Sequence, residues 1–129
     1  SNVGTVPALG VVLTETVSLH TSFVAQASTS GWSCADGAAA GTQCRFNLGD
    51  IVPGQEGELI FAIRLDQGIP SDTQIPNFAL IGTNTFQLEP RKTNNESEVT
   101  IVVKPTNLGE SSEPVNPSFY LYLPMVQKN

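Results

Sequence analysis

Few side chains in this sequence have the types and spacing that catalysis needs. His20 is the only histidine, and neither a serine nor a cysteine stands near it in a nucleophile motif. Acid–base catalysis needs a positioned partner, so an isolated turn histidine is far more often solvated than a general base. We therefore predict that the chain is not an enzyme and has no catalytic residues.

The acidic side chains give no metal-binding pattern. None follows the Asp-x-Asp-x-Asp-Gly spacing of a calcium loop, and no histidine lies at a zinc-site spacing from the cysteines. We expect no metal and no cofactor, and we assign the acids to solvated loops and strand ends. The acids in question are Asp36, Asp50, Asp66, Asp72, Glu89, Glu96 and Glu98.

The two cysteines favour a structural role instead. If the segments around them are two strands folded back on each other, Cys34 faces Cys44 and Trp32 faces Phe46. Because side chains alternate along a strand, the same register brings Leu48 onto that face. We predict a disulfide inside a buried cluster of these five residues. Two buried reduced thiols in a cytosolic protein are the alternative.

Composition limits the class of protein and its partners. The chain has 129 residues, enough for one domain with a buried core, and 40% of them are hydrophobic. A net charge of −6 repels phosphate backbones, which excludes nucleic acid as a partner. No apolar run approaches the roughly 20 residues that cross a bilayer, so we expect no membrane insertion. The absence of a signal peptide leads us to expect a mature fragment of a longer exported protein.

Alternating and β-branched segments separated by turn residues predict an all-β protein. Such segments cover residues 9–17, 21–27, 58–66, 77–85 and 98–104, in addition to the two strands around the cysteines. No segment has a helical period. The expected fold is an antiparallel β-sandwich of seven or eight strands.

The last part of the chain differs from the rest. Residues 105–117 are rich in proline and predict a linker, and residues 118–129 predict a C-terminal strand that packs on the same domain or on a neighbour. Exchange of this edge strand between copies would make a dimer. Within the strand, Tyr120 and Tyr122 either form an aromatic sugar platform or pack a sheet edge.

The order of motifs resembles a known family, the Ig-like repeat domain of unassigned function that occurs in tandem in bacterial and archaeal surface and secreted proteins. The matching segments begin with Asn2-Val3-Gly4 and residues 8–16 and continue through the Trp32 and cysteine cluster. They end with Pro53-Gly54, Asn77-Phe-Ala79 and residues 92–95. Family members normally have a further strand before the Asn-x-Gly motif. Residues 120–126 are similar to the short Leu-Pro-x-Val endings of some exported bacterial proteins.

The resemblance implies an immunoglobulin-like sandwich over residues 1–104 and an extracellular or cell-surface location. It also implies a spacer or adhesion role, with neighbouring domains or other surface proteins as partners, and it supplies no catalytic residues. Some surface Ig-like domains contain a Lys–Asn isopeptide bond, for which Lys104 with Asn77 or Asn95 is a low-ranking candidate. The main hypothesis is a non-catalytic structural or adhesion module. The alternative is a carbohydrate-binding accessory module of a secreted enzyme.

Overall fold

The computed structural model describes residues 1–83 and 95–104, together with the backbone of residues 118–123. The predicted linker at 105–117 and the end of the tail at 124–129 lie outside the described residues. The described part is all-β, with one short 3-10 turn at Ala25–Ala27. Its strands are β1 Ala8–Thr16, β2 Thr21–Phe23, β3 Gln43–Ile51, β4 Leu59–Leu65, β5 Gln74–Thr83, β6 Glu96–Val102 and β7 Ser118–Leu123.

The strands form two antiparallel sheets. One sheet has the order β3-β1-β5-β6, and the other has the order β2-β4-β7. β1 has the β-branched composition of a buried strand, and it lies inside the larger sheet between β3 and β5. β7 pairs with β4 over six residues, which puts the C-terminal strand on the smaller sheet. Among the described residues, no helix is long and apolar enough to cross a bilayer.

The predicted hairpin around the cysteines is wrong in its strand pairing. β3 pairs with β1, and the segment from Gly31 to Gly37 is turn and loop rather than a strand. A short contact remains, because Ser33 N donates to Arg45 O at 2.9 Å and Arg45 N donates to Ser33 Oγ at 2.9 Å. β1 pairs with β3 at seven positions between Ala8 and Thr16, whereas the glycine-containing segment at 31–37 is turn and loop.

Buried side chains from both sheets belong to one core. β1 contributes Val11 and Leu13, and β4 contributes Leu59, Phe61 and Ile63. The Phe23 and Phe61 rings stack with centroids 4.9 Å apart. Each large apolar side chain removed from water contributes about 1.5–3 kcal/mol to folding, so this cluster is the main source of stability.

The second face of β4 is more covered than its sequence predicts. The alternation in residues 58–66 predicts a solvated face containing Ala62, but Ala62 is buried. The chain after β2 continues along the edge of β4, where Val24 N donates to Ala62 O at 2.9 Å and Ala62 N donates to Ser28 Oγ at 2.8 Å. The alternation within β4 alone does not predict the burial of Ala62.

The N-terminal segment is held by a buried asparagine. Asn2 Nδ2 donates to Val6 O at 3.0 Å and to Ile51 O at 2.8 Å, while Gly4 N donates to Asn2 Oδ1 at 2.9 Å. The Asn2 backbone also exchanges hydrogen bonds with Gln55 O and Gly54 N. Asn2 therefore ties the start of the chain to the turn after β3.

Candidate functional site

A disulfide lies at the edge of the core. Cys34 and Cys44 are bonded with an S–S distance of 2.00 Å, and the described residues contain no free cysteine. Cys44 is on β3 and fully buried, while Cys34 is in the preceding loop and half-buried. The bond fastens this loop to the larger sheet.

Trp32 connects the two sheets. Its ring is edge-on to Phe46 of the larger sheet at 5.4 Å and to Phe61 of the smaller sheet at 4.8 Å. Its indole Nε1 donates to Ile60 O at 3.0 Å, which satisfies the polar atom of a half-buried ring. Leu48 packs against the same core. The predicted cluster is thus assembled, although through a loop and not through a hairpin.

Gly31 allows Trp32 to reach this position. Its φ of 121° is a conformation that side-chain-bearing residues rarely adopt, and a Cβ at this position would lie 3.0 Å from the Phe46 ring. Glycine is therefore needed for both its backbone conformation and its small size.

Among the described candidates, His20, Asp36 and Asp50 take part in hydrogen bonds with the backbone. His20 is exposed in the turn between β1 and β2, and its carbonyl accepts a hydrogen bond from Asp66 N at 2.9 Å. Asp36 and Asp50 accept hydrogen bonds from the backbone of Ala25 and Gly10, both at 2.8 Å. Across the part of the chain that the structure describes, no three His, Cys, Asp or Glu residues come together as a metal site. Glu89 lies outside the described residues.

The structure instead buries an acid that the sequence did not single out. Glu15 on β1 is 0% exposed and faces the core with Val11 and Leu13. Its Oε2 accepts a hydrogen bond from Asn77 Nδ2 at 3.0 Å, and its Oε1 is buried with no hydrogen-bond partner. A carboxyl group in this setting is an unusual core component, because a buried charge is costly unless it is paired.

The Asn77 carboxamide is the centre of this buried polar cluster. Asn77 is on β5 and 1% exposed, and Ser18 Oγ lies 3.0 Å from its Oδ1 and 2.8 Å from Pro76 O. Thr21 Oγ1 in turn donates to Ser18 O at 2.8 Å. The cluster of Glu15, Ser18 and Asn77 thus links β1, the following turn and β5.

Burial raises the pKa of the Glu15 carboxyl to about 8, while the hydrogen bond from Asn77 opposes part of that rise. The group is therefore a neutral carboxylic acid at neutral pH. A neutral acid can donate one proton and accept another, which an ordinary surface glutamate at this pH cannot do.

The sequence did contain a signal for both residues. Glu15 alternates with Val11, Leu13 and Val17, so it shares the parity of the buried face. Asn77 alternates in the same way with Ile75, Ala79 and Ile81. A polar residue in an inward-facing position of a strand is the pattern that identifies such a cluster.

The remaining candidates are those for an isopeptide bond and for a sugar platform. Lys104 is exposed beyond the end of β6, five residues along the chain from Val99, which pairs with Asn77. At about 3.3 Å per residue along the chain, Lys104 lies roughly 16 Å from the Val99–Asn77 pair, which is too far for an isopeptide bond with Asn77. Asn95 is buried before β6. The side chains of Tyr120 and Tyr122 lie outside the described residues.

Searches of protein-family models, of curated proteins and of solved structures found no match to this chain.

Proposed function

We propose that this chain is a non-catalytic structural or adhesion module of a larger exported or cell-surface protein. Its fold in this proposal is an immunoglobulin-like sandwich of seven or eight strands. The observation that carries the proposal is the position of Trp32. The most versatile binding side chain of the sequence packs between the two sheets and bonds to Ile60 O, so it serves the fold.

The disulfide supports the proposed location. Disulfides persist in oxidising compartments and are rare in the cytosol, so Cys34–Cys44 suits an extracellular or cell-surface protein. The low content of charged residues, 14%, gives a surface rich in Ser, Thr, Asn and Gln, which is common in extracellular β-modules.

An adhesion role is supported by the outer face of the larger sheet. Phe78 is 55% exposed and Leu80 is 48% exposed, and both alternate with the buried Asn77 and Ala79 on β5. Glu98 and Glu96 lie opposite them on β6. An exposed apolar strip beside acidic side chains is a suitable contact surface for a neighbouring domain or another surface protein.

A carbohydrate-binding accessory module is the second candidate. It depends on Tyr120 and Tyr122, which lie two positions apart on β7 at the edge of the smaller sheet. Sugar-binding sites commonly use aromatic rings, and Tyr120 and Tyr122 are the candidate rings for such a site in this sequence.

A binding and activity screen tests the proposal. The purified chain is titrated calorimetrically with a panel of soluble polysaccharides and assayed with ester, glycoside and peptide substrates. The proposal predicts background activity and no saturable binding. Saturable binding that Tyr120→Ala/Tyr122→Ala abolishes would establish the second candidate. Turnover that His20→Ala or Asp66→Asn abolishes would make the chain an enzyme.

A further inference from the structure

The outer face of the larger sheet carries opposite charges on its first and last strands. Arg45 of β3 pairs with Thr14 of β1. Thr14 pairs in turn with Leu80 of β5, which pairs with Glu96 of β6. Arg45, Leu80 and Glu96 are exposed, and Thr14 is half-buried. This row across the sheet therefore has a cation at one end, an acid at the other and a large apolar side chain beside the acid.

A second row lies two residues further along each strand and repeats the pattern. Gln43 of β3 pairs with Thr16 of β1, and Phe78 of β5 pairs with Glu98 of β6. Gln43, Phe78 and Glu98 are exposed, and Thr16 is half-buried. Each row thus has a hydrogen-bond donor on β3, a threonine on β1, a large apolar side chain on β5 and a glutamate on β6.

The donors and the acids of these rows are separated within one chain. Neighbouring strands lie about 4.8 Å apart, so the backbones of β3 and β6 are roughly 14 Å apart, with β1 and β5 between them. Arg45 and Glu96 are therefore placed to bind groups of opposite charge on another molecule. The apolar side chains of β5 between them would be removed from water by the same contact.

From these features we propose that this face binds the same face of a second copy of the chain. The two copies form a symmetric dimer whose two-fold axis runs parallel to the strands, midway between β1 and β5. Rotation about this axis reverses the order of the strands, so β3 of one copy lies over β6 of the other, and β5 lies over β1. Packed sheets commonly keep their strand directions within about 30° of each other, as this arrangement requires.

The two faces are complementary in charge and in shape under this rotation. Arg45 faces Glu96 of the partner subunit, and Gln43 faces Glu98 of the partner subunit. Arginine and carboxylate form strong, bidentate hydrogen bonds, and a glutamine amide donates to a carboxylate. The large side chains of β5 lie over the threonines of the partner's β1, so bulky groups meet shorter ones. The symmetry repeats every contact twice.

The charges also exclude the other face-to-face dimer. A two-fold axis perpendicular to the strands would place each strand over its own counterpart. Glu96 and Glu98 would then face the same two acids of the second copy, and Arg45 would face a second arginine. Like charges that meet across an interface are strongly unfavourable. The charge pattern therefore selects the axis parallel to the strands.

This inference rests on the proposed adhesion role and deepens it, because it names the partner of the same surface as a second copy. Sedimentation equilibrium of the full chain, from micromolar to millimolar concentration, measures the association. We expect a monomer–dimer equilibrium. The affinity should be modest, since the face spans four strands and each copy has a net charge of −6.

Charge reversal tests the predicted contacts. Arg45→Glu and Glu96→Arg should each raise the Kd of the dimer by about tenfold or more, because each variant places like charges opposite one another. Glu96→Arg reduces the net negative charge, so non-specific repulsion alone would predict a stronger dimer. Glu58→Arg is the matched control: it makes the same charge change at an exposed residue just before β4 and should not weaken the dimer.

Mixing the two weakened variants tests the symmetry. In a dimer of one Arg45→Glu chain with one Glu96→Arg chain, both contacts join an arginine to a glutamate, so the equimolar mixture should associate as tightly as the wild type. Phe78→Ser, which removes an exposed apolar side chain, should weaken the dimer without a change of charge. Circular dichroism and the intact disulfide report on the folding of each variant.

Three results would overturn the proposal. A wild type that stays monomeric at millimolar concentration would show that this face does not bind a second copy. A dimer whose Kd neither charge variant changes, as exchange of β7 would give, would place the contact elsewhere. Failure of the mixed variants to associate would exclude the predicted axis. None of these results decides the proposed structural role, which the screen of polysaccharides and substrates tests separately.

Discussion

Glu15 lies directly opposite Cys44 across the β1–β3 pair, and both residues are fully buried. On its other side, across the β1–β5 pair, Glu15 lies opposite Ala79. Neither partner is charged, and the hydrogen-bonded neighbour Asn77 is neutral. The interior therefore stabilises the carboxylic acid rather than the carboxylate, which makes folding sensitive to pH.

The first prediction is that stability decreases as pH rises from about 4.5 toward 8. The folded-state pKa of Glu15 is about 8, against an ordinary value of 4.5, so the folded state binds the extra proton between these limits. Below pH 4.5 the Glu15 carboxyl is protonated in both states, so it does not change the free energy of unfolding with pH. Between about pH 4.5 and 8 the free energy of unfolding decreases as pH rises. Each pKa unit corresponds to about 1.4 kcal/mol, so the total is a few kcal/mol.

Urea unfolding at a series of pH values measures this effect. Glu15→Gln should remove most of the pH dependence in this range, whereas Glu58→Gln, an exposed glutamate just before β4, should leave it intact. An unchanged pH profile in the Glu15→Gln protein would show that another group is responsible.

The second prediction concerns the disulfide. Cys34→Ser/Cys44→Ser should lower the free energy of unfolding by about 2.5–3 kcal/mol, since the bond closes a short loop in the unfolded chain. Non-reducing mass spectrometry of the wild type should show the protein two protons lighter than the dithiol. Two free thiols in protein that never met a reductant would contradict the structure.

The third prediction uses two glycines with positive φ. Gly31→Ala should cost about 1–3 kcal/mol for backbone strain and more for contact with Phe46, whose ring lies 3.0 Å from the new Cβ. Gly41→Ala is the matched control, because Gly41 has a φ of 85° but no atom within 4 Å of its Cβ position. Thermal unfolding should rank Gly31→Ala as the less stable variant. Equal losses would mean that the Phe46 contact is relieved without cost.

The fourth prediction concerns β7. Deleting residues 115–129 removes the strand that pairs with β4 from Leu59 to Arg64 and leaves the backbone groups of that edge without a partner. The truncated protein should melt at a lower temperature or self-associate, as measured by calorimetry and light scattering. Deleting only residues 124–129, which follow β7, is the control and should have little effect. A monomer with unchanged melting after the longer deletion would show that the strand is dispensable.

The strands of this fold are more predictable from the sequence than the way in which they pair. Strong alternation identified β4 and β5 within a few residues, because inward and outward positions are encoded locally. β3 pairs with β1, which is distant in the sequence. The facing positions of Cys34 with Cys44 and of Trp32 with Phe46 suggested the wrong partner strand for β3.

The contents of the core were predictable only in part. The sequence predicted that Trp32, Phe46 and the disulfide lie together, but it did so from the parity of a hairpin that does not form, because Trp32 and Cys34 lie in a loop. Glu15 was overlooked because an acid in a strand is expected to face solvent, and its burial depends on the two strands beside it. Asn77 is recognisable as its partner only once β1 and β5 are known to be neighbours.

Stretching a tandem repeat of this chain in a single-molecule force experiment tests whether it is a structural module. A structural module should give one cooperative unfolding step per copy. Because the disulfide retains the loop of sequence separation 10, each step should be about 30 Å shorter than in Cys34→Ser/Cys44→Ser repeats. Gradual extension without steps, with or without the disulfide, would contradict the proposed structural role.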